Sequence, residues 1–184
     1  MTEIVRLALE EDIGTGDVTS IACVPEARRA AGSFLARELL TLAGVGLLWE
    51  IYQLRGGVDE LNILKQDGDR CADGDIIATV RGAARTLLAC ERVALNFLQR
   101  LSGVATAASH FAAAVQGTRC QILDTRKTTP GLRTLEKAAA LAGGIMNHRM
   151  GLYDAILIKN NHIAAAGGVR NSLDRARQIG RAHV

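Results

Sequence analysis

Asp124-Thr125-Arg126-Lys127-Thr128-Thr129-Pro130-Gly131, then Asn147-His148-Arg149, then Ile156-Leu157-Ile158-Lys159-Asn160-Asn161-His162 are the segments that decide how this chain is read. Two apolar runs of strand character, Gln121-Ile122-Leu123 and Ala155-Ile156-Leu157-Ile158, each end in a cationic cluster, and a third cluster lies in the connection between them. Parallel α/β folds gather strand ends on one face, where ligands bind. The pattern predicts a strand–helix–strand unit from Arg119 onward, with Arg126, Lys127, His148, Arg149 and Lys159 lining one positive, concave site. Guanidinium groups match carboxylates and phosphates bidentately, while lysine acts on phosphate as a point charge. A lone arginine at a strand end is ordinarily a solvated charge. Five cations on three converging segments fit a small, multiply negative molecule.

Working outward, Thr129 reads as an N-cap and Pro130 as the first residue of a helix over 132–142, closed by Gly143-Gly144. Upstream, residues 4–11 form an amphipathic helix and 12–20 a polar loop, organised by Asp17 and Thr19. Residues 33–41 read as a strand and 43–54 as a helix. Strands at 61–64 and 76–80 flank two Asp-Gly-Asp turns, at Asp67 and Asp73, which lack the ligand spacing of a calcium loop. Leu87, Cys90, Ala94, Phe97, Leu98 and Leu101 share one face of a helix over 86–101, interrupted at Gly103 and resumed over 105–115. The expected fold class is α/β: an α+β N-terminal sandwich domain over 1–115, then the first strands of an incomplete α/β barrel over 116–177.

The 184 residues are 48% apolar and 22% charged, which is the composition of a globular protein able to bury a core. Net charge is only +3 and aromatic content 3%, so stacking platforms for nucleic acid are missing and that class of partner is set aside. No apolar stretch is long enough to span a bilayer, so no membrane partner is expected. Cys23, Cys71, Cys90 and Cys120 show no metal-ligand spacing and read as reduced thiols of a cytoplasmic protein.

The motifs Glu11-Asp12-Ile13-Gly14-x-Gly16-Asp17-Val18-Thr19, Glu91 to Gly103, Asp124 to Gly131, Asn147-His148-Arg149 and Leu157 to His162 occur in this order across the chain to about Val169. Together they resemble the quinolinate phosphoribosyltransferase family (nicotinate-nucleotide pyrophosphorylase, carboxylating). The resemblance implies phosphoribosyl transfer from 5-phosphoribosyl 1-pyrophosphate to quinolinate with decarboxylation, giving nicotinate mononucleotide, CO2 and pyrophosphate for NAD biosynthesis. It implies that Arg126, Arg149 and His148 hold the two quinolinate carboxylates, with Thr125 in the same binding segment. Lys127 and Lys159, the catalytic pair, should sit between quinolinate and the donor. Arg92 should enter the neighbouring subunit's site in a homodimer. Mg2+ should arrive with the donor, its protein ligands lying outside this chain.

The family continues beyond this chain's length, and a barrel usually takes on the order of 200 residues or more. A C-terminally truncated, inactive or poorly soluble polypeptide is therefore expected. Residues 178–184, Gln178-Ile179-Gly180-Arg181-Ala182-His183-Val184, can be written with the codons of a common sequencing-library adapter read in frame to a stop, and are expected to be a non-native tail. Two rivals stand beside the main reading. One is a related phosphoribosyltransferase of the molybdenum-operon type; the other is a non-catalytic, anion-binding chain that dimerises through the Arg92 helix.

Overall fold

The computed structural model describes residues 2–179. Helix α1 (Thr2–Ile13) and the short α2 (Val18–Cys23) open the chain. Asp17 caps α2 by accepting the Ser20 backbone N–H at 3.0 Å, so part of the expected polar loop is helical. Strand β1 (Arg29–Leu35) and the two-residue β2 (Leu40–Thr41) replace the single strand expected over 33–41. They are followed by α3 (Leu47–Gln53), β3 (Glu60–Ile63), β4 (Arg70–Cys71) and β5 (Ile76–Ala83).

β5 is the centre of a three-stranded antiparallel sheet in the order β1-β5-β3, running from Arg29 opposite Ala83 to Leu35 opposite Ile76. β2 and β4 pair separately. Both Asp-Gly turns form as expected. Gly68 and Gly74 take φ of 95° and 87°, a region in which a Cβ is strained. Asp69 and Asp75 close these turns by accepting the Gln66 and Ala72 backbone N–H groups at 2.8 and 3.0 Å.

β5 runs directly into α4 (Ala84–Ala114), one helix of 31 residues rather than two. The break expected at Gly103 does not occur. A mid-helix glycine costs only about 1 kcal/mol relative to alanine, and the buried stripe of Phe97, Leu98, Leu101, Ala105 and Ala108 continues past it. Polar side chains on that stripe complete the backbone hydrogen bonding of the β2 region: Ala43 N–H donates to Ser102 Oγ at 3.1 Å, and Thr41 N–H to Thr106 Oγ1 at 2.8 Å. The core joins α4 to Val5 and Leu9 of α1, Leu48, Ile51 and Tyr52 of α3, and Ile77 and Val80 of β5. Burial there pushes the Cys90 thiol up to about 11. All four cysteines are free thiols.

Beyond α4 come α5 (Arg133–Ala142), α6 (Asn160–Ala166) and α7 (Val169–Gln178). The strand–helix–strand expectation is met at the helix but not at the strands. Leu123 makes a single parallel bridge to Met146, and no ladder forms along 155–158. The reason is the lack of flanking partners: Leu123, Met146 and Leu157 remain 47%, 48% and 39% exposed. Thr129 does not cap α5 either; Leu132 occupies that position, and Thr129 is turned toward Glu136. Of the expected tail, Gln178 closes α7 and Ile179 caps it, while 180–184 lie outside the described residues.

Candidate functional site

The bridge between Leu123 and Met146 decides the geometry of the site. Met146 N–H donates to the Ile122 carbonyl and Asp124 N–H to the Met146 carbonyl, both at 2.9 Å. Two chain segments thus run side by side in the same direction, and both turn polar at the next residue. Asp124 leads into Thr125-Arg126-Lys127, and Asn147 into His148-Arg149.

Asp124 fastens the two together. Its Oδ1 accepts the His148 backbone N–H at 2.7 Å and Lys137 Nζ at 2.5 Å. With its amide oriented as the surrounding acceptors require, Asn147 donates to Asp124 Oδ2 at 2.8 Å and to the Lys137 carbonyl at 3.0 Å. The third segment is tied on by Arg149, whose Nη1 donates to the Ala155 carbonyl at 2.9 Å. Between Arg149 and Ala155 the chain loops out, held by Asp154, which accepts the Gly151 and Met150 backbone N–H groups; these bonds hold the Asp154 carboxyl below the usual aspartate range. Arg133 spans the same region, donating to Thr128 Oγ1 at 3.1 Å and to the Met150 carbonyl at 3.3 Å.

Within this frame Arg126 and Arg149 are half-buried, and the Nε of each is buried with no hydrogen-bond partner. A buried guanidinium N–H without a partner is costly unless an anion satisfies it. His148 Nδ1 accepts the Arg149 backbone N–H at 2.8 Å, so in the neutral ring the proton sits on Nε2, the nitrogen left to donate. Thr125 Oγ1 accepts the Lys127 N–H at 3.0 Å, a tight turn that places Arg126 at its apex. Lys127 and Lys159 are exposed. Lys159 is the N-cap of α6, and its backbone N–H donates to His162 Nδ1 at 2.9 Å, which gives His162 a local structural role.

Arg92 is exposed on α4 and, among the described residues, makes no hydrogen bond or ion pair with these segments. Two turns further along α4, Arg100 does reach this part of the molecule. It binds Thr129 Oγ1 at 2.8 Å and Glu136 Oε1 at 2.6 Å, while Glu136 Oε2 accepts the Thr129 N–H at 3.0 Å. Burial raises the Glu136 carboxyl, but the bonds from Thr129 and Arg100 outweigh it and hold the group below the usual glutamate range.

Sequence reasoning missed Arg100, Arg133, Glu136 and Lys137, and gave Asp124 and Asn147 no part of their own. One signal was available: Glu136 falls on the apolar stripe of Leu132, Leu135, Ala139 and Ala140, where an unpaired charge is not tolerated. Nothing comparable marks Lys137.

Two family models match the chain, the quinolinate phosphoribosyl transferase N-terminal domain over residues 17–102 and the C-terminal domain over 104–184. A nicotinate-nucleotide pyrophosphorylase (carboxylating) of Mycobacterium leprae is 43% identical over 178 residues, covering 95% of this chain and 63% of the relative. Among solved structures, NadC from Streptococcus pyogenes is 39% identical with a TM-score of 0.90, covering 97% of this chain and 63% of that one. A nicotinate-nucleotide pyrophosphorylase from Ehrlichia chaffeensis is 36% identical with a TM-score of 0.92, covering 97% and 65%. The chain thus spans under two thirds of the length of these relatives. Human nicotinic acid phosphoribosyltransferase, at 15% identity and a TM-score of 0.60, shares the fold alone. With both domains matched in order, and with the paired cationic segments present, the chain belongs to the quinolinate phosphoribosyltransferase family.

Proposed function

We propose that this chain carries the quinolinate-binding part of an enzyme that transfers a phosphoribosyl group from 5-phosphoribosyl 1-pyrophosphate to quinolinate, with decarboxylation to nicotinate mononucleotide in NAD biosynthesis. The observation that supports it best is the pair of half-buried arginines on adjacent parallel segments, each with a buried Nε lacking a partner. Two neighbouring carboxylates on a pyridine ring satisfy two such forks. His148 Nε2–H adds a further donor beside Arg149, and Thr125 shapes the turn that presents Arg126.

In this reading Lys127 and Lys159, both exposed, stand toward the anionic donor and stabilise the departing pyrophosphate. The pyridine nitrogen bonds to ribose C1 as the C1–O bond to pyrophosphate breaks. The 2-carboxylate then leaves as CO2; its electron pair remains at C2, which the quaternised nitrogen makes tolerable, and a proton replaces it. Arg92, exposed on α4 and, among the described residues, without a hydrogen bond or ion pair to the other cationic segments, would serve the neighbouring subunit's site in a homodimer. Magnesium would accompany the donor. Among the described residues no cluster of three or more His, Cys, Asp or Glu gathers that could hold a metal ion. No described helix is long and apolar enough to cross a membrane. The free thiols are in keeping with a reducing, cytoplasmic setting.

Calorimetric titration of the chain with quinolinate and with nicotinate tests the reading. Loss of one charge-assisted carboxylate contact, about 1.5–3 kcal/mol, should weaken nicotinate about ten- to a hundredfold. Equal affinities would contradict it. Binding without turnover is expected of the 184-residue chain by itself, and measurable quinolinate turnover by it would refute that expectation.

A further inference from the structure

Lys137 is among the most deeply buried large side chains in the molecule, 2% exposed, yet it faces no solvent and belongs to none of the cationic segments. Its ammonium meets Asp124, whose side chain is 7% exposed. A buried ion pair adds little to stability by itself, because desolvation of two charges offsets their attraction; its better-attested use is to specify one arrangement. Asp124 is suited to that use. The same Oδ1 that meets Lys137 also accepts the His148 backbone N–H, and Oδ2 accepts the Asn147 amide, which in turn binds the Lys137 carbonyl. Three points on two elements are thereby fixed around a single carboxylate. His148 Nδ1 then accepts the next backbone N–H, that of Arg149, so the orientation of the imidazole follows from where the turn is pinned.

We propose that Lys137 is a positioning residue. Through Asp124 it locks the Asn147-His148-Arg149 turn against the Leu123–Met146 bridge, and so sets where His148 Nε2 and the Arg149 fork are presented to a dicarboxylate. Lys137 holds the Asp124 carboxylate in one place, and the same oxygen accepts the His148 N–H at 2.7 Å. The proposal rests on the quinolinate reading for its ligand but not for its geometry, and the two can fail separately.

The test is the double variant Lys137→Met with Asp124→Asn, which removes both charges while retaining one acceptor oxygen and nearly the same volume. Replacing a buried pair as a unit is tolerated far better than removing one partner. Three quantities are read on the full chain: the melting temperature, the His148 amide proton shift, and the dissociation constant for quinolinate. Expected is an upfield move of the His148 amide as its charge-assisted bond is lost, with quinolinate weakened about tenfold or more while the fold persists, as misplacement of a binding group demands. A lowered melting temperature with quinolinate affinity unchanged would reduce Lys137 to a structural residue and overturn the proposal. Should the double variant not fold, Lys137→Arg, which keeps a cation but seats a wider fork, is read by the same criteria. If the unmodified chain fails to bind quinolinate, the functional reading falls. The His148 amide then decides alone: displaced, it supports the clamp; undisturbed, it overturns it.

Discussion

The part of the chain up to the end of α4 and the part after it are stabilised by different means. In the first, α1, α3, α4 and β5 bury a continuous apolar core in which Leu48, Ile51 and Ala94 are fully inaccessible, and from the second α5 adds Leu135 and Ala139 to it. In the second, Leu123, Met146, Leu152, Leu157 and Val169 remain exposed, and the chain is held by a lattice of charges and hydrogen bonds around Asp124, Glu136 and Arg133. Apolar burial is non-directional and tolerates many sequences, whereas a buried charge holds its partners in one geometry. The division teaches that the region with the least core is the one whose segments are tied by directional polar contacts, as a site for anions needs.

The sharpest way to break this comparison is a matched pair of truncations. Leu48→Ala in α3 removes a fully buried side chain and should cost about 2–5 kcal/mol in chemical denaturation. Leu157→Ala, 39% exposed in the second region, should change stability by less than about 1 kcal/mol. Similar losses at both positions would mean that the second region has a core of its own.

The seam between the two regions offers a smaller effect. A Cβ at Gly143 would lie 2.3 Å from the Ala105 carbonyl oxygen of α4, although the backbone there, at φ −73°, accepts any residue. Gly143→Ala should therefore cost about 1–3 kcal/mol through overpacking alone. A neutral result would show that α5 is free to slide along α4.

The subtlest effect concerns pH. Glu136 is held below its ordinary value of 4.5, so its contribution to stability is fully present above that pH and is lost as pH falls below it toward the folded value. Glu136→Gln should flatten the acid limb of a melting-temperature profile below pH 4.5 and leave its slope near neutrality unchanged. An unaltered acid limb would show that Arg100 and Thr129 do not stabilise the ionised carboxylate.

Much of the first region was legible in the sequence because its signals are local. The Asp-Gly turns, the apolar face of α4 and the apolar run over 76–80 that opens β5 each follow from local composition, periodicity or turn chemistry. Gly103 misled because a helix packed on both sides of a glycine outweighs its weak propensity. In the second region two cationic segments were legible as endings of apolar runs and a third as part of the connection between them; the parallel bridge joins Leu123 to Met146 in that connection rather than to 155–158. The ladders were not, since a strand is defined by its neighbours and residues 155–158 have none among the described residues. Lys137 and Arg100 could not be found by pattern either, because their roles arise from contacts with residues 13 and 36 positions away.

The decisive measurement is a crystal structure of the chain soaked with quinolinate. One ring is expected between the 124–127 and 147–149 segments, with its two carboxylates on the guanidinium groups of Arg126 and Arg149 and one oxygen within hydrogen-bond reach of His148 Nε2. A ring bound elsewhere, or guanidinium groups turned apart toward bulk solvent with quinolinate absent at saturating concentration, would contradict it.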